Sequence, residues 1–186
     1  MHGVPVAVKD QFWTKGVRST GVPAFSLTSS LMRRHCNHQF EKAGAIVLGK
    51  TNMTEFAITG FSHRYSTPRN PWNLDTYTGG SSSGSGAATA GYLCASSLGE
   101  DTGGSIRFPC DLVRTSRHTP HLGALVTRYG VMRGVWSMDT FGAHFSHGRR
   151  CSHHTERHRR SRAKDPYSSR DPIPDYRESL GKDLKG

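Results

Sequence analysis

The sequence predicts an α/β domain, and three observations along the chain support that fold class. Residues 3–9 are a short valine-rich run, typical of a buried strand, which ends at Lys9. Residues 30–45 have a helical pattern, and residues 45–49 are a second apolar, strand-like run. Strand, helix and strand in this order are typical of an α/β fold, and 186 residues suffice for one modest domain with its own core.

The next stretch predicts the start of a helix and then a loop. Within residues 51–60, Thr51 or Asn52 is a candidate helix cap, and Glu55 falls in the first turn. Residues 66–75 are rich in proline and asparagine, which favours a loop there.

Two glycine-rich loops follow. On composition alone residues 79–86 would be a flexible linker, but residues 87–90 are helix-like and residues 92–98 are strand-like. A loop of small residues that leads into a helix is typical of a functional site. Residues 99–109 contain the second glycine-rich turn, so the sequence predicts that both loops contribute to one site.

The composition favours an intracellular protein. Residues 1–8 lack the basic region, long apolar stretch and cleavage site of a secretory signal, and no run of eighteen apolar residues indicates a membrane span. The cysteines form no C-x-x-C pair and are too few for a disulfide scaffold in a chain of this length. We therefore expect a cytoplasmic protein with free thiols, at Cys36, Cys94, Cys110 and Cys151.

The net charge of +11 suggests nucleic-acid binding, but its distribution argues against that function. Residues 110–162 hold ten arginines, no lysine and seven of the eleven histidines, against three carboxylates. The excess charge therefore belongs mainly to one segment. We expect no nucleic-acid partner for the domain as a whole.

Three motifs occur together in a specific order: Gly-Val-Pro-Val-Ala-Val-Lys-Asp at residues 3–10, Gly-Gly-Ser-Ser at residues 79–82, and Asp-Thr-Gly-Gly-Ser-Ile-Arg at residues 101–107. With them the sequence resembles the amidase-signature family, continuously over residues 3–109 and again at Arg128-Tyr-Gly-Val and Ser137-Met-Asp. The resemblance implies a mixed β-sheet core surrounded by helices, present here only as a partial domain.

The resemblance also implies a Ser–cis-Ser–Lys triad. The nucleophile would be Ser105, the proton relay Ser81 and the base Lys9, with a cis peptide bond between Gly80 and Ser81. No metal ion or organic cofactor is implied. The substrate would be a small-molecule amide, and the partners would be a second copy of the chain or the other subunits of an amidotransferase.

The chemistry of these residue types agrees with those roles. A serine hydroxyl is a weak nucleophile until a base takes its proton, and Lys9 can be that base only when neutral. Burial in an apolar strand lowers the pKa of a lysine, which favours the neutral form. The hydroxyl of Ser81 can accept one proton while it donates another.

The second glycine-rich turn predicts an oxyanion hole. Backbone N–H groups in a turn with glycines can approach a developing oxyanion closely. The predicted donors are those of Thr102, Gly103, Gly104 and Ser105. For Asp101 and Arg107 we expect support of the loop rather than direct chemistry.

Some segments depart from the family pattern. Residues 1–109 form the predicted catalytic core within a single partial domain, residues 1–186, whereas residues 110–122 and 143–162 lack the apolar segments that the family has there. Codons compatible with these two stretches, read one nucleotide later, can give family-like sequence. We therefore hypothesise that both are out-of-frame translations, and that residues 163–186 are family-like again. A smaller departure is Ser83, where the family usually has glycine.

The arginine- and histidine-rich segment allows two other interpretations. It could bind phosphates non-specifically as a basic arm. Alternatively it could bind zinc, although the spacing matches no usual closed site, through Cys151, His153, His154 and His158.

The predicted function is hydrolysis of a carboxylic amide C–N bond. One alternative is a glutaminase like the A-subunit of the tRNA-dependent amidotransferase, although Phe108 favours general amidases, since the amidotransferase enzymes usually have glutamine there. Another is an inactive fragment with a basic nucleic-acid-binding segment. Because family members are usually much longer, we expect this chain to be poorly soluble and weakly active or inactive.

Overall fold

The computed structural model describes residues 1–14, 16–20, 40, 42–119, 130–146 and 165–166. Its main feature is a five-stranded sheet with the spatial order β2-β1-β5-β7-β6, and a separate two-stranded sheet pairs β3 with β4. The elements in chain order are β1 (Pro5–Lys9), β2 (Ile46–Thr51), a 3-10 turn (Glu55–Ala57), β3 (Arg69–Asn70), β4 (Asn73–Tyr77), α1 (Ser83–Ala90), β5 (Ser96–Asp101), α2 (Arg107–Val113), β6 (Ser116–His118) and β7 (Thr140–Phe145).

The main sheet is mixed. Strand β1 pairs in parallel with β2 on one side and with β5 on the other. Strand β7 pairs antiparallel with both β5 and β6. The predicted fold class, an α/β domain with a mixed sheet, is therefore confirmed.

The apolar core lies around the central strands. Val6 and Val8 of β1, Leu98 of β5 and Phe141 of β7 are all buried and belong to one cluster. The ring of Phe12 packs edge-on against that of Phe141, with 5.3 Å between the ring centroids. Burial of each such side chain contributes about 1.5–3 kcal/mol, so this cluster fixes the strands that carry the site.

Strand β5 is buried along its whole length although four of its six residues are polar. Helix α1 covers it through side-chain hydrogen bonds: Ser85 Oγ donates to the carbonyl of Leu98 at 2.8 Å, and the hydroxyls of Thr89 and Ser97 lie 2.7 Å apart. Buried polar groups need such partners. Helix α1 also lies close to the end of β2, where only glycine fits, because a Cβ at Gly84 would lie 2.5 Å from the backbone nitrogen of Asn52.

Several predictions for individual elements hold, and three need correction. Strands β1 and β2 lie where the apolar runs predicted them. Thr51 is not a helix cap but ends β2. Thr54 is at the N-cap position of the following 3-10 turn, and its side chain makes no capping hydrogen bond. The predicted loop at residues 66–75 contains the hairpin of β3 and β4, because the Pro-Trp pair between the strands is a tight turn.

The third correction concerns β5. The strand expected at residues 92–98 begins only at Ser96, since residues 91–95 form a turn in which Leu93 N donates to the carbonyl of Ala88 at 2.9 Å. Most of the predicted helix at residues 30–45, and the segment at residues 149–162, lie outside the described residues. In the part of the chain that the structure describes, no helix combines the length and apolarity that a membrane crossing requires.

Candidate active site

Lys9 lies at the carboxyl end of β1, which is next to the edge strand β2 in the sheet, and its side chain is fully buried. Its Nζ donates to Ser81 Oγ at 2.7 Å. The two residues are 72 positions apart in sequence, so only the fold brings them together. The predicted base and relay are therefore in direct contact.

The loop that carries Ser81 has an unusual backbone. The peptide bond between Gly80 and Ser81 is cis, as the resemblance implied, and Gly79 has φ of +79°. Ser83, which departs from the family pattern, donates its hydroxyl to the carbonyl of Gly79 at 2.5 Å. Ser82 Oγ donates to the carbonyl of Glu100 at 3.1 Å, which joins this loop to β5.

Ser105 lies half-buried on the turn between β5 and α2. Its carbonyl accepts a hydrogen bond from Ser82 N at 3.2 Å, so its backbone is held beside the residue that follows Ser81. Within the described residues no hydrogen bond involves the Ser105 hydroxyl, and none joins it to Ser81. The structure thus brings the two glycine-rich loops together, with Ser105 at their junction.

Asp101 makes several hydrogen bonds within this turn. Its carboxylate accepts two hydrogen bonds from the Arg107 guanidinium, at 2.8 and 3.1 Å, and further bonds from the N–H groups of Gly104, Ile106 and Arg107. Burial by itself raises the pKa of Asp101, but these hydrogen bonds outweigh it and lower the pKa to about 2. Asp101 is therefore ionised at neutral pH and fixes the turn.

The predicted oxyanion hole needs one correction. The N–H of Gly104 donates to Asp101 Oδ1 at 2.7 Å, so this donor is already engaged. Gly104 has φ of +128°, a conformation that favours glycine, and its role is to shape the turn. Of the four predicted donors, the N–H groups of Thr102, Gly103 and Ser105 remain as candidates.

Glu100 is a site residue that the sequence motifs did not identify. It is buried, and its Oε2 accepts a hydrogen bond from Lys9 Nζ at 3.1 Å. Its signal in the sequence is its position, as an acidic residue directly before the Asp-Thr-Gly-Gly-Ser motif. A buried carboxylate needs a partner, and Lys9 is that partner.

Asp139 is a second residue missing from the predicted site, although the family resemblance includes its segment. It is fully buried just before β7 and accepts hydrogen bonds from the N–H groups of Gly134 and Val135. Thr102 Oγ1 lies 2.7 Å from Asp139 Oδ1 and also contacts Glu100 Oε1. Asp139 therefore connects to Lys9 through Thr102 and Glu100.

The electrostatics of Lys9 combine opposing effects. Burial is the largest and lowers the pKa of Lys9 below its usual value. The charge and hydrogen bond of Glu100 oppose it, followed by the charges of Asp101 and Asp139. The net direction is downward, as predicted, so the neutral form of Lys9 that a base requires becomes accessible at lower pH than for an exposed lysine.

In the part of the chain that the structure describes, we find no metal centre at this site. Among the described residues no group of three His, Cys, Asp or Glu side chains could hold a metal ion, and the Cys/His set around residues 151–158 lies outside them. A cleft of about 300 Å³ is lined by Asp10, Lys50 and Met53 among others, but by none of Lys9, Ser81 or Ser105. We assign it no function.

Comparison with known proteins adds a family context. The Amidase family model matches residues 1–186. The glutamyl-tRNA(Gln) amidotransferase A-subunit of Thermosynechococcus vestitus is 38% identical over 204 aligned residues, which cover 100% of this chain and 39% of that protein. The chain therefore spans about two fifths of the length of the curated relatives that it matches.

Solved structures of other proteins are similar to this chain as well. The A-subunit of the glutamyl-tRNA(Gln) amidotransferase from Thermotoga maritima superimposes with a TM-score of 0.81 at 31% identity, over 92% of this chain and 39% of that chain. The peptide amidase from Stenotrophomonas maltophilia superimposes with a TM-score of 0.82 at 29% identity, over 94% of this chain and 38% of its own. These are proteins to which the chain is similar in both sequence and fold.

Proposed function

Because the chain belongs to the amidase family, we propose that it hydrolyses a carboxylic amide C–N bond through a covalent ester of Ser105. The observation that carries this proposal is the buried 2.7 Å hydrogen bond from Lys9 Nζ to Ser81 Oγ, beside the cis Gly80–Ser81 bond. A lysine whose pKa burial lowers, held against a serine hydroxyl, is suited to remove a proton from a nucleophile.

The proposed reaction starts with attack of Ser105 Oγ on the amide carbonyl. The Ser105 proton passes to Ser81 while Ser81 gives its own proton to Lys9. N–H groups of Thr102, Gly103 and Ser105 stabilise the oxyanion of the tetrahedral intermediate, each donor being worth about 3 kcal/mol. The amine then leaves with the proton that Lys9 returns through Ser81, and water hydrolyses the ester by the same steps.

A glutaminase acting within an amidotransferase is the second candidate. It is favoured by the relatives at 38% identity, which are A-subunits of glutamyl-tRNA(Gln) amidotransferases. Phe108, which is half-exposed just after the Arg107 that anchors the turn, favours a general amidase. Ammonia release from glutamine, measured with and without the other amidotransferase subunits, separates the two candidates. If the chain does not assemble with those subunits, a homodimer is the alternative assembly.

A cytoplasmic location belongs to the same proposal. The two cysteines that the structure describes, Cys94 and Cys110, are buried free thiols. Free thiols persist in a reducing compartment.

The test is the Ser105→Ala variant. Because the chain is much shorter than its family members, we expect weak labelling of the Ser105 hydroxyl by a fluorophosphonate and weak hydrolysis of a simple aryl amide. Neither reaction should be detectable in Ser105→Ala. Ser66→Ala, which removes the hydroxyl of an exposed serine, is the matched control and should react like the parent chain. Equal labelling of the parent chain and Ser105→Ala would overturn the proposal.

We also propose that the chain consists of a catalytic core, two out-of-frame stretches and a family-like end. Residues 1–109 would be the catalytic core, and residues 110–122 and 143–162 would be out-of-frame stretches before a family-like end at residues 163–186. Sequencing the coding DNA across residues 110–162 tests this, since a missing or extra base at both edges of each stretch is expected. An unbroken frame there would overturn the out-of-frame hypothesis and favour the alternative of a degenerate fragment with a basic segment.

A further inference from the structure

We propose that Glu100 is the positioning residue of Lys9: its carboxylate holds Nζ against Ser81 and stabilises the positive charge that Lys9 gains on accepting the proton. This inference rests on the proposed function and deepens it. It adds to the Ser–Ser–Lys set a fourth residue that no motif of the sequence assigned.

The geometry places Glu100 beside Lys9. Strands β1 and β5 are parallel neighbours with Val8 opposite Leu98. The side chains of Lys9 and Glu100 therefore both lie near the carboxyl ends of these strands. Lys9 Nζ donates to Ser81 Oγ at 2.7 Å and to Glu100 Oε2 at 3.1 Å. Since an ammonium has three donors, these two contacts fix the direction of Nζ while one hydrogen remains.

The carboxylate of Glu100 is itself held in place. Its Oε1 accepts a hydrogen bond from Thr102 Oγ1, which also lies 2.7 Å from Asp139 Oδ1. Asp139 is anchored just before β7 by the N–H groups of Gly134 and Val135. Glu100 is thus oriented by contacts from both sides rather than by Lys9 alone, as a positioning residue must be.

The other acidic groups near Lys9 act on it only at longer range. Asp101 is occupied by its bidentate pair with Arg107, and Asp139 reaches Lys9 only through Thr102 and Glu100. His144 on β7 is also near, and burial lowers its pKa so far that it is neutral at neutral pH. Glu100 is the one carboxylate, among the described residues, in direct contact with the charge that forms on Lys9.

This role makes a directional prediction for the pH profile. In the proton transfer the O–H bond of Ser105 breaks and an N–H bond forms on Lys9, while Glu100 receives no proton. Lys9 must be neutral beforehand, so activity rises with pH as Lys9 loses its proton. Because the charge and hydrogen bond of Glu100 raise the pKa of Lys9, removing them moves this acid limb to lower pH.

The experiment compares Glu100→Gln, Glu100→Asp and the parent protein. The rate of Ser105 labelling by a fluorophosphonate is measured from about pH 5 to about pH 10. We expect the acid limb of Glu100→Gln to lie at least about one pH unit lower, with a plateau rate reduced by about 10-fold or more. Glu100→Asp, which keeps the charge, should restore the position of the limb. Asp75→Asn is the control, because it also replaces a carboxylate by an amide but does so on the exposed strand β4.

A second variant and a second measurement cover the case in which Glu100→Gln does not fold. Thr102→Val keeps the charge of Glu100 but removes the hydroxyl that orients it. It should move the acid limb to lower pH and reduce the labelling rate, both by less than Glu100→Gln does. The titration of Lys9 in protein labelled with carbon-13 at the lysine ε-carbon gives the same comparison without any turnover.

The outcomes separate the inference from the proposed function. Acid limbs that coincide in the parent, Glu100→Gln and Thr102→Val proteins, with Ser105 labelled, would overturn the role of Glu100 alone. Equal labelling of the parent and Ser105→Ala would overturn the proposed function. In that case a Lys9 titration that shifts in Glu100→Gln still supports the coupling between Glu100 and Lys9, and one that does not shift removes it.

Discussion

Two nitrogen bases are fully buried in the same sheet, Lys9 on β1 and His144 on β7, and their surroundings differ in polarity. Lys9 donates to a serine hydroxyl and a carboxylate. His144 Nδ1 lies 3.0 Å from the sulfur of Cys110, and its Nε2 has no hydrogen-bond partner among the described residues.

The difference shows what makes a buried base useful. Burial lowers the pKa of both side chains, but Glu100, Asp101 and Asp139 counteract it at Lys9. At His144 the positive charge of Lys9 adds to the effect of burial, and the pKa falls to about 3 despite the opposing charge of Asp101. A carboxylate in contact therefore distinguishes a base that can take up and hold a proton from an imidazole that stays neutral and acts in packing.

The largest effect is expected from Lys9→Met. Loss of the base should reduce amide hydrolysis by about 10²–10⁴-fold. The variant also leaves the buried carboxylate of Glu100 without its partner, which should lower the free energy of unfolding by about 3–5 kcal/mol. The measurements are kcat/KM and urea denaturation.

The control is the double variant Lys9→Met with Glu100→Gln. It removes the unpaired charge, so most of the lost stability should return while activity stays absent. Recovery of activity in the double variant would contradict the role of Lys9, and an unchanged stability deficit would contradict the importance of the pair.

The sequence predicted the part of the site that lies within motifs. Lys9, Ser81 and the cis bond at Gly80 each lie at a recognisable position of a glycine-rich or valine-rich segment, and the strands at residues 5–9 and 46–51 follow from apolar runs. Local pattern and family resemblance suffice for such features.

The remainder depends on contacts between distant segments. Glu100 reaches Lys9 only because β1 and β5 pair in parallel, and this register is not encoded by the residues of either strand alone. Gly104 looked like an oxyanion donor, yet the Asp101 side chain competes for its N–H. The β3–β4 hairpin looked like a loop because Asn73 and Asp75 are common in turns.

A smaller effect, on stability alone, is expected from His144. Its pKa falls from 6.5 to about 3 on folding, so the unfolded chain binds a proton that the folded protein excludes. The stability that neutral His144 provides is complete above pH 6.5 and is lost progressively as the pH falls towards about 3, by up to about 5 kcal/mol. In His144→Gln this part of the acid sensitivity should disappear.

Urea denaturation at several pH values between about 3 and about 8 measures this pH-dependent loss of stability. His63→Gln, the same substitution at an exposed position, is the matched control and should keep the acid sensitivity of the parent protein. An identical slope of stability against pH in His144→Gln and the parent would show that His144 is not held neutral by burial. The contrast with Lys9 would then lose its basis.

The smallest effect on function is expected at Cys110, whose contact with His144 resembles a catalytic cysteine–histidine pair in distance only. Burial raises the pKa of Cys110 to about 11, and His144 is neutral, so no thiolate–imidazolium pair forms. Alkylation of the native protein by iodoacetamide at about pH 8 should therefore be at least about 100-fold slower at Cys110 than in the urea-unfolded chain. Cys94 is also buried, and its sulfur lies 3.9 Å from the Thr89 hydroxyl. It is the internal reference and should be equally protected. Faster labelling of Cys110 than of Cys94, read from the alkylated peptides by mass spectrometry, would mean that His144 activates the thiol. The sheet would then hold two working bases instead of one.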